Sequence, residues 1–290
     1  MRRIEESELI VNPDGSIYHL HILPEQLADD IIVVGDPQRV EIISSYFDTI
    51  ECKIHNREFV THTGTLNGKR LTVLATGIGT DNIDIVMNEL DAVVNIDLKT
   101  RQVKNHKKSL NIVRLGTSGA LQKDIPVDSF VFSSYGLGLD GLLNFYKDRD
   151  KVIDQEMTNA FVEYAEWNKD LARPYIVSAS KNLEDKISKG MYKGITATAP
   201  GFYGPQGREL RLALSQPQIN NILENFNYKN HVITNFEMET SAIYGLGSIL
   251  GHQTATVCAI IANRYNKTYS ADYKKTVVKL IEILLGHLTS

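Results

Sequence analysis

The sequence predicts an α/β fold, a three-layer sandwich of helices around one sheet, and three observations predict it. Short β-branched runs end at glycine, segments of helical period follow them, and no Pro/Gly/Ser-rich linker divides the chain. The first strand is Ile31-Ile32-Val33-Val34, stopped by Gly35. Residues 70–76 form a second, stopped by Gly77-Ile78-Gly79, and residues 82–94 follow as a helix with Ile83, Val86, Met87, Leu90, Val93 and Val94 on one face. Ile112-Val113-Arg114-Leu115 is a strand running into a turn at Gly116-Thr117-Ser118-Gly119. Further strands are expected at 129–134, 175–179 and 254–262, and helices at 237–250 and 272–288. The last helix turns Tyr273, Val277, Leu280, Ile281, Leu284 and Leu285 inward. Residues 1–290 are read as one domain, with the basic, weakly patterned stretch 99–108 as a surface insertion without assigned function.

Composition narrows the classes of function. With 290 residues, 42% of them hydrophobic, the chain can bury a substantial core. A net charge of −4 and a pI near 6.1 argue against nucleic acid or an anionic membrane as partner. Cys52 and Cys258 stand far apart in no metal-ligand spacing, so no metal site is expected and a reducing compartment suits them. The first fifteen residues carry no apolar signal core, and no run reaches the roughly 18 apolar residues of a membrane span. A cytoplasmic location is the expectation.

Four segments carry chemistry. Gln206 and Arg208 lie two apart in Gly201-Phe202-Tyr203-Gly204-Pro205-Gln206-Gly207-Arg208. In extended chain that spacing turns both side chains to one side. A carboxamide offers an acceptor and a donor in one plane, and a guanidinium adds rigid donors beside it. Together they complement a flat imide edge such as uracil, with Phe202 as a ring on which a base stacks. Taken alone, the stretch reads more simply as a solvated loop.

Gly35-Asp36-Pro37-Gln38-Arg39-Val40 follows the first strand, where a glycine turn lets backbone N–H groups approach an anion and Arg39 adds a fork. Arg114 to Gly119 repeats the theme, with Thr117 as a hydroxyl donor. Ligands of α/β sheets collect at the carboxyl ends of strands, so the two turns together suggest an anion site. Glu237-Met238-Glu239 precedes an apolar helix. It reads either as dipole-favoured acids of a first turn or as fixed carboxylates that accept from vicinal hydroxyls.

In order, these segments resemble the uridine phosphorylase branch of the nucleoside phosphorylase superfamily. The resemblance also takes in Tyr18-His19-Leu20, Asn56-Arg57-Glu58-Phe59, Leu139-Asp140-Gly141 and Asn263-Arg264, and so covers most of the chain. It implies a phosphorylase/hydrolase-like α/β/α sandwich with a central mixed sheet, and phosphorolysis of uridine to uracil and ribose 1-phosphate. Gly35, Arg39, Arg114 and Thr117 would form the phosphate cradle, joined by Arg57 from a neighbouring subunit. His19 of that neighbour would reach the ribose 5′-hydroxyl, and Glu239, Met238 and Glu237 would hold the other hydroxyls. Gln206 and Arg208 would read the base against Phe202, with Arg264 behind them. Arg114, Arg208 and Glu239 would carry catalysis. Phosphate is then a co-substrate and no cofactor is implied; the assembly implied is a homo-oligomer, a dimer or a trimer of dimers.

The sequence departs from the family at two places. Val34 replaces a proline before Gly35, and Asn82 stands where relatives carry a serine that helps hold a monovalent cation with the acid matching Glu58, which leaves that cation open. The nearest alternative is a purine nucleoside phosphorylase, whose late-strand aspartate is Asn263 here. A hydrolytic nucleosidase has no use for three arginines around a phosphate. A non-catalytic nucleoside-binding protein needs no complete phosphate site.

Overall fold

A computed structural model describes residues 3–290. The elements in chain order are β1 (Asp30–Val34), α1 (Pro37–Ser44), β2 (Thr49–Asn56), β3 (Phe59–Leu66), β4 (Lys69–Ala75), α2 (Thr80–Asn95), β5 (Ile96–Asp97), β6 (Gln102–Val103), β7 (Asn111–Ala120), β8 (Phe130–Gly138), α3 (Gln155–Tyr164), β9 (Tyr175–Ser178), α4 (Lys181–Ile187), β10 (Tyr192–Thr198), α5 (Ile219–Asn225), β11 (Asn227–Tyr228), β12 (His231–Glu237), α6 (Thr240–Leu250), β13 (Gln253–Asn263), β14 (Thr268–Tyr269) and α7 (Tyr273–Thr289). One mixed sheet runs β11-β12-β10-β8-β13-β7-β1-β4-β3-β2.

Strand alternation builds the layers. Ile31 and Val33 of β1 pack with α2 and α6 through Leu90, Val93, Ile243 and Leu246. Ile32 and Val34 point the other way, onto Val40 and Ile43 of α1 and Leu280, Ile281 and Leu284 of α7. Helices therefore cover both faces, as the sequence predicts. A third cluster joins Met157 and Phe161 of α3 to Leu223 of α5 across Leu137, Ile195 and Phe236.

The sheet does more than the expected sandwich. β12 pairs in parallel with β10 and also antiparallel with β7, at Asn235 with Ala120 and Phe236 with Gly119. The strands β7, β13, β8, β10 and β12 thus close a ring. Register shifts at Gly194/Ile195, Ile195/Thr196 and Ile260/Ala262 supply the extra bend that closure needs. Closure brings the ends of β7 and β12 together, and both carry candidate site residues.

Three local expectations are corrected. Gly116 to Gly119 make no turn: β7 continues to Ala120 because β13 pairs with it in parallel throughout. The helix expected from residue 237 begins at Thr240, since Glu237 ends β12 and Glu239 is the cap position. Gln206 and Arg208 do not sit in extended chain, because residues Gly204–Gln206 form a 3₁₀ turn and Gly207 takes φ +66°. The stretch 99–108 is mostly exposed: its β6 pairs with β5, just before it, as a small hairpin, and Arg101, half-buried, ion-pairs with Glu6.

The α7 contact is the plainest stability determinant. Leu284→Ala is expected to cost about 2–5 kcal/mol by transfer and cavity terms, against within about 0.5 kcal/mol for the exposed Lys279→Ala, both read by urea unfolding.

Candidate active site

Arg114 lies mid-strand in β7 and is 6% exposed. Its Nη2 donates to Glu239 Oε2 in a short contact, and Nη1 lies 3.4 Å from Glu237 Oε2 and 3.6 Å from Cys258 Sγ. The guanidinium folds back over Gly116, two residues on along the same strand face. A Cβ at Gly116 would stand 1.8 Å from Nη1, so only glycine admits this pose. Burial pulls the Arg114 pKa down, but Glu239 and then Glu237 outweigh it and the net shift is upward. The guanidinium stays charged.

Arg39, on α1, approaches the same point from the end of β1. Its Nη1 donates to Leu115 O at 3.5 Å. Burial and the neighbouring Arg114 charge depress its pKa, the mark of a cation short of counter-charge. Asp36 caps α1 by accepting from Gln38 N, which sets the first turn that carries Arg39. Gly35 abuts the chain after β4, since a Cβ there would meet Gly77 O at 3.4 Å. Thr117 lies three residues beyond Arg114 in β7, half-buried and paired with Ala259.

The two glutamates have different surroundings. Glu237 Oε1 accepts from Thr198 Oγ1 at 2.7 Å, and its carboxylate also accepts from Glu239 N at 3.0 Å and from Thr240 N at 3.1 and 3.0 Å. With Arg114 beside it, Glu237 has its lone pairs engaged within the fold, which sets it apart from the expected role as a sugar ligand. Glu239 accepts from Gly79 N at 2.9 Å, in front of α2, and from Met238 N at 3.3 Å. It keeps more acceptor capacity for a ligand. Met238 lies between them, half-buried.

The segment 202–208 is a second cluster. Arg208 Nη1 donates to Gln206 Oε1 at 2.5 Å and to Phe202 O at 2.7 Å, and Arg208 Cζ lies 3.8 Å from the Phe202 ring centroid. One face of Phe202 is therefore covered by the guanidinium, and the Tyr203 ring meets it in a T-shaped contact with centroids 5.2 Å apart. Gln206 is buried, and Arg208 fixes which end of its amide is the oxygen. Arg264 Nη1 donates to Gln206 O at 2.7 Å, and the Asn220 amide, turned to suit its neighbours, accepts from Arg264 Nη2 at 3.0 Å. Burial and the Arg264 charge bring the Arg208 pKa down to about 10. Arg264 packs near Gly119 of β7, whose added Cβ would lie 3.6 Å from its Cγ. Asn263 does not face this cluster. Its amide donates to Gln122 O and Ile125 O and its oxygen accepts from Asn266 N, so it shapes a loop.

His19 and Arg57 form a third group. His19 Nδ1 lies 2.6 Å from Glu89 Oε1, Asn56 Nδ2 donates to His19 O, and Arg57 Nη2 donates to the Tyr18 hydroxyl at 3.2 Å. Within one chain these residues join each other and not Arg114. Glu58 and Asn82 both flank Gly77: a Cβ there would meet Asn82 Nδ2 at 2.3 Å and Glu58 Cγ at 3.7 Å. A separate cavity of about 760 Å³ takes in Arg208, Asp140, Trp167 and Leu212 but none of Gln206, Arg39, Arg114 or Glu239.

Sequence reasoning missed Thr198, and it took Gly116 and Gly79 only as turn glycines. Gly116 was legible in principle, because a glycine two places after an arginine on a strand leaves room for that side chain. Gly79 and Thr198 act through contacts with residues far away in sequence, and no local signal marks them.

Two arginines and two carboxylates thus converge around the middle of β7, and a planar amide–guanidinium pair lies on the segment after β10 of this α/β protein. The chain belongs to the phosphorylase superfamily, whose family model matches residues 29–285. It is 29% identical over 264 residues to a uridine phosphorylase of Thermococcus kodakarensis, covering 88% of this chain and 80% of that one. A DeoD-type purine nucleoside phosphorylase of Clostridium perfringens is 27% identical over 270 residues, covering 92% and 96%. Among solved structures, a Trypanosoma brucei nucleoside phosphorylase that shows uridine phosphorylase activity superposes with a TM-score of 0.84 at 31% identity, covering 96% and 99%.

Burial, opposed by Arg114 and reinforced by the Glu239 charge, pushes the Glu237 carboxyl up to about 6. Between the usual carboxylate range and that value, the folded chain holds a proton that the unfolded chain has lost. This group therefore makes stability fall as pH rises through that window. Glu237→Gln is expected to remove that slope from a plot of Tm against pH.

Proposed function

We propose that the protein is a uridine phosphorylase, cleaving uridine with inorganic phosphate to uracil and ribose 1-phosphate. The observation that carries this reading is the course of β7. It holds Arg114 next to Arg39 at one point and, through Gly119 and Arg264, backs the Gln206–Arg208 pair at another. Phosphate binds to Arg39 and Arg114 with the Gly35 backbone and Thr117. The ribose hydroxyls meet Glu239 and the Met238 backbone, while Glu237 keeps Arg114 in place. Gln206 takes the ring N–H and gives to one carbonyl, and Arg208 gives to the other.

Cleavage of the N-glycosidic bond leaves positive charge on the sugar and negative charge on the base. Phosphate held under the anomeric carbon supplies both the nucleophile and a compensating charge. Arg208 binds the departing uracil anion more strongly than neutral uridine, which is differential transition-state binding without a covalent intermediate. No other cofactor enters the reaction. His19 and Arg57 complete the site from a second copy of the chain, so the working unit is a homo-oligomer built from dimers. Arg57 is exposed, and His19, with Nδ1 engaged by Glu89, has Nε2 left for a ligand.

Release of uracil from uridine is expected to require phosphate and to exceed base release from inosine by roughly 10⁴-fold, since a site built for an imide edge rejects a base without one. Arg114→Ala is expected to lower kcat/KM by about 10²–10³-fold or more. Comparable rates on inosine would overturn the pyrimidine assignment, and cleavage that proceeds without phosphate would identify a hydrolase.

A further inference from the structure

Asp140 belongs to the Leu139-Asp140-Gly141 motif, and the proposed reaction gives it no task. It follows β8 in a half-buried position, with an edge on the 760 Å³ cavity. Its carboxylate accepts from Leu142 N at 2.7 Å and from Ser241 Oγ at 2.8 Å, and the Tyr175 hydroxyl lies 3.0 Å from both its oxygens. Tyr175 OH is also 3.1 Å from Ser241 Oγ. The surroundings are shaped for this cluster. A Cβ at Gly138 would stand 2.3 Å from the Tyr175 ring, and one at Gly136 would stand 3.0 Å from Ser241 Cα.

Ser241 is the second residue of α6, the helix with Glu239 at its N-cap position. Its backbone N donates to Thr198 Oγ1 at 2.9 Å, and that hydroxyl donates to Glu237 Oε1 at 2.7 Å. One end of Ser241 is thus tied to Asp140 and the other to the carboxylate that holds Arg114. A carboxylate drawn partly out of water is costly unless it is well hydrogen-bonded, and here the donors come from β9, α6 and the loop after β8. Only the α6 donor leads toward the nucleoside.

We propose that Asp140 is a positioning residue for the sugar clamp, fixing the first turn of α6, and with it Glu239 and Glu237, through Ser241 and Thr198. The inference rests on the nucleoside site described above. It assigns Asp140 no contact with substrate. An asparagine in its place keeps the volume but turns one acceptor into a donor facing donors, so the first turn of α6 loses its anchor.

The test compares Asp140→Asn and Ser241→Ala with the parent by hydrogen–deuterium exchange over residues 238–246 and by phosphorolysis of uridine and 2′-deoxyuridine. Both variants are expected to exchange faster in the first turn of α6. Their KM for uridine is expected to rise roughly tenfold, about the worth of one hydrogen bond to a charged group, with kcat little changed and the ribose preference narrowed. The double variant is expected to be no worse than Asp140→Asn, because both changes cut one link. If Asp140→Asn does not fold, Ser241→Ala, which removes a single hydroxyl, decides the matter. Unchanged exchange in that turn, or faster exchange with an unchanged uridine KM and ribose preference, overturns the proposal. With a parent that leaves uridine uncleaved, the substrate reading falls and exchange alone upholds or overturns the hold of Asp140 on α6.

Discussion

Arg114 is a permanent positive charge buried in the middle of a β-sheet, and its tolerance there depends on Glu237 and Glu239. Removing one partner of such a buried pair typically costs about 3–5 kcal/mol, because the remaining charge stands uncompensated. The rest of the site is arranged around that fact. Gly116 clears space for the guanidinium, Thr198 and the α6 backbone amides hold Glu237, and Gly79 N holds Glu239 from the α2 side. Arg39 then adds a second cation to a cluster whose two carboxylates already face Arg114. With all four groups ionised the charges cancel, yet they are unevenly placed. The arginine pair presents excess positive potential at the end of β1, and the carboxylates lie on the α6 side.

That uneven placement follows from the closed ring of strands. Had β12 paired with β10 alone, Glu237 would sit at the end of its own strand with no route to Arg114. The added antiparallel contact of β12 with β7 draws the two strand ends together, and α6 starts where they meet. Chain closure and ion pairing therefore depend on each other: the ring makes the pair reachable, and the pair gives the ring a charged centre that water cannot easily screen.

The layers of the fold were legible because β1, β4, α2 and α7 carry strong apolar periodicity. β2 was not, since all of its residues face solvent or lie half-buried and Lys53 and His55 break any apolar signal. The boundary errors share a cause. Gly116-Thr117-Ser118-Gly119 has the composition of a turn, but parallel pairing with β13 overrides it. Glu237 has the look of a first-turn acid, yet its side chain caps the helix from the preceding strand. Arg114, Arg39, Gln206 and Arg208 were identifiable as chemical types. That Glu237 is engaged internally, that Arg208 covers one face of Phe202, and that Asn263 shapes a loop all depend on partners distant in sequence, which no local pattern encodes.

The same electrostatic device occurs at both ends of the site. Arg39 is depressed by burial and by Arg114, and Arg208 by burial and by Arg264. A crowded, partly desolvated cation gains more from an incoming anion than a solvated one, because less hydration is lost on pairing and the like-charge repulsion is relieved. In the proposed reaction that anion would arrive at the first pair with the co-substrate, so its effect would be felt already in the ground state. At the second it exists only once the glycosidic bond has begun to break. An arginine pair under a neutral base therefore contributes little to binding uridine and much to reaching the transition state, whereas the pair under phosphate contributes to both. In the proposed reaction the Gln206–Arg208 segment would therefore act in catalysis as well as in choosing the base, with Arg264 sharpening the response through its charge beside Arg208.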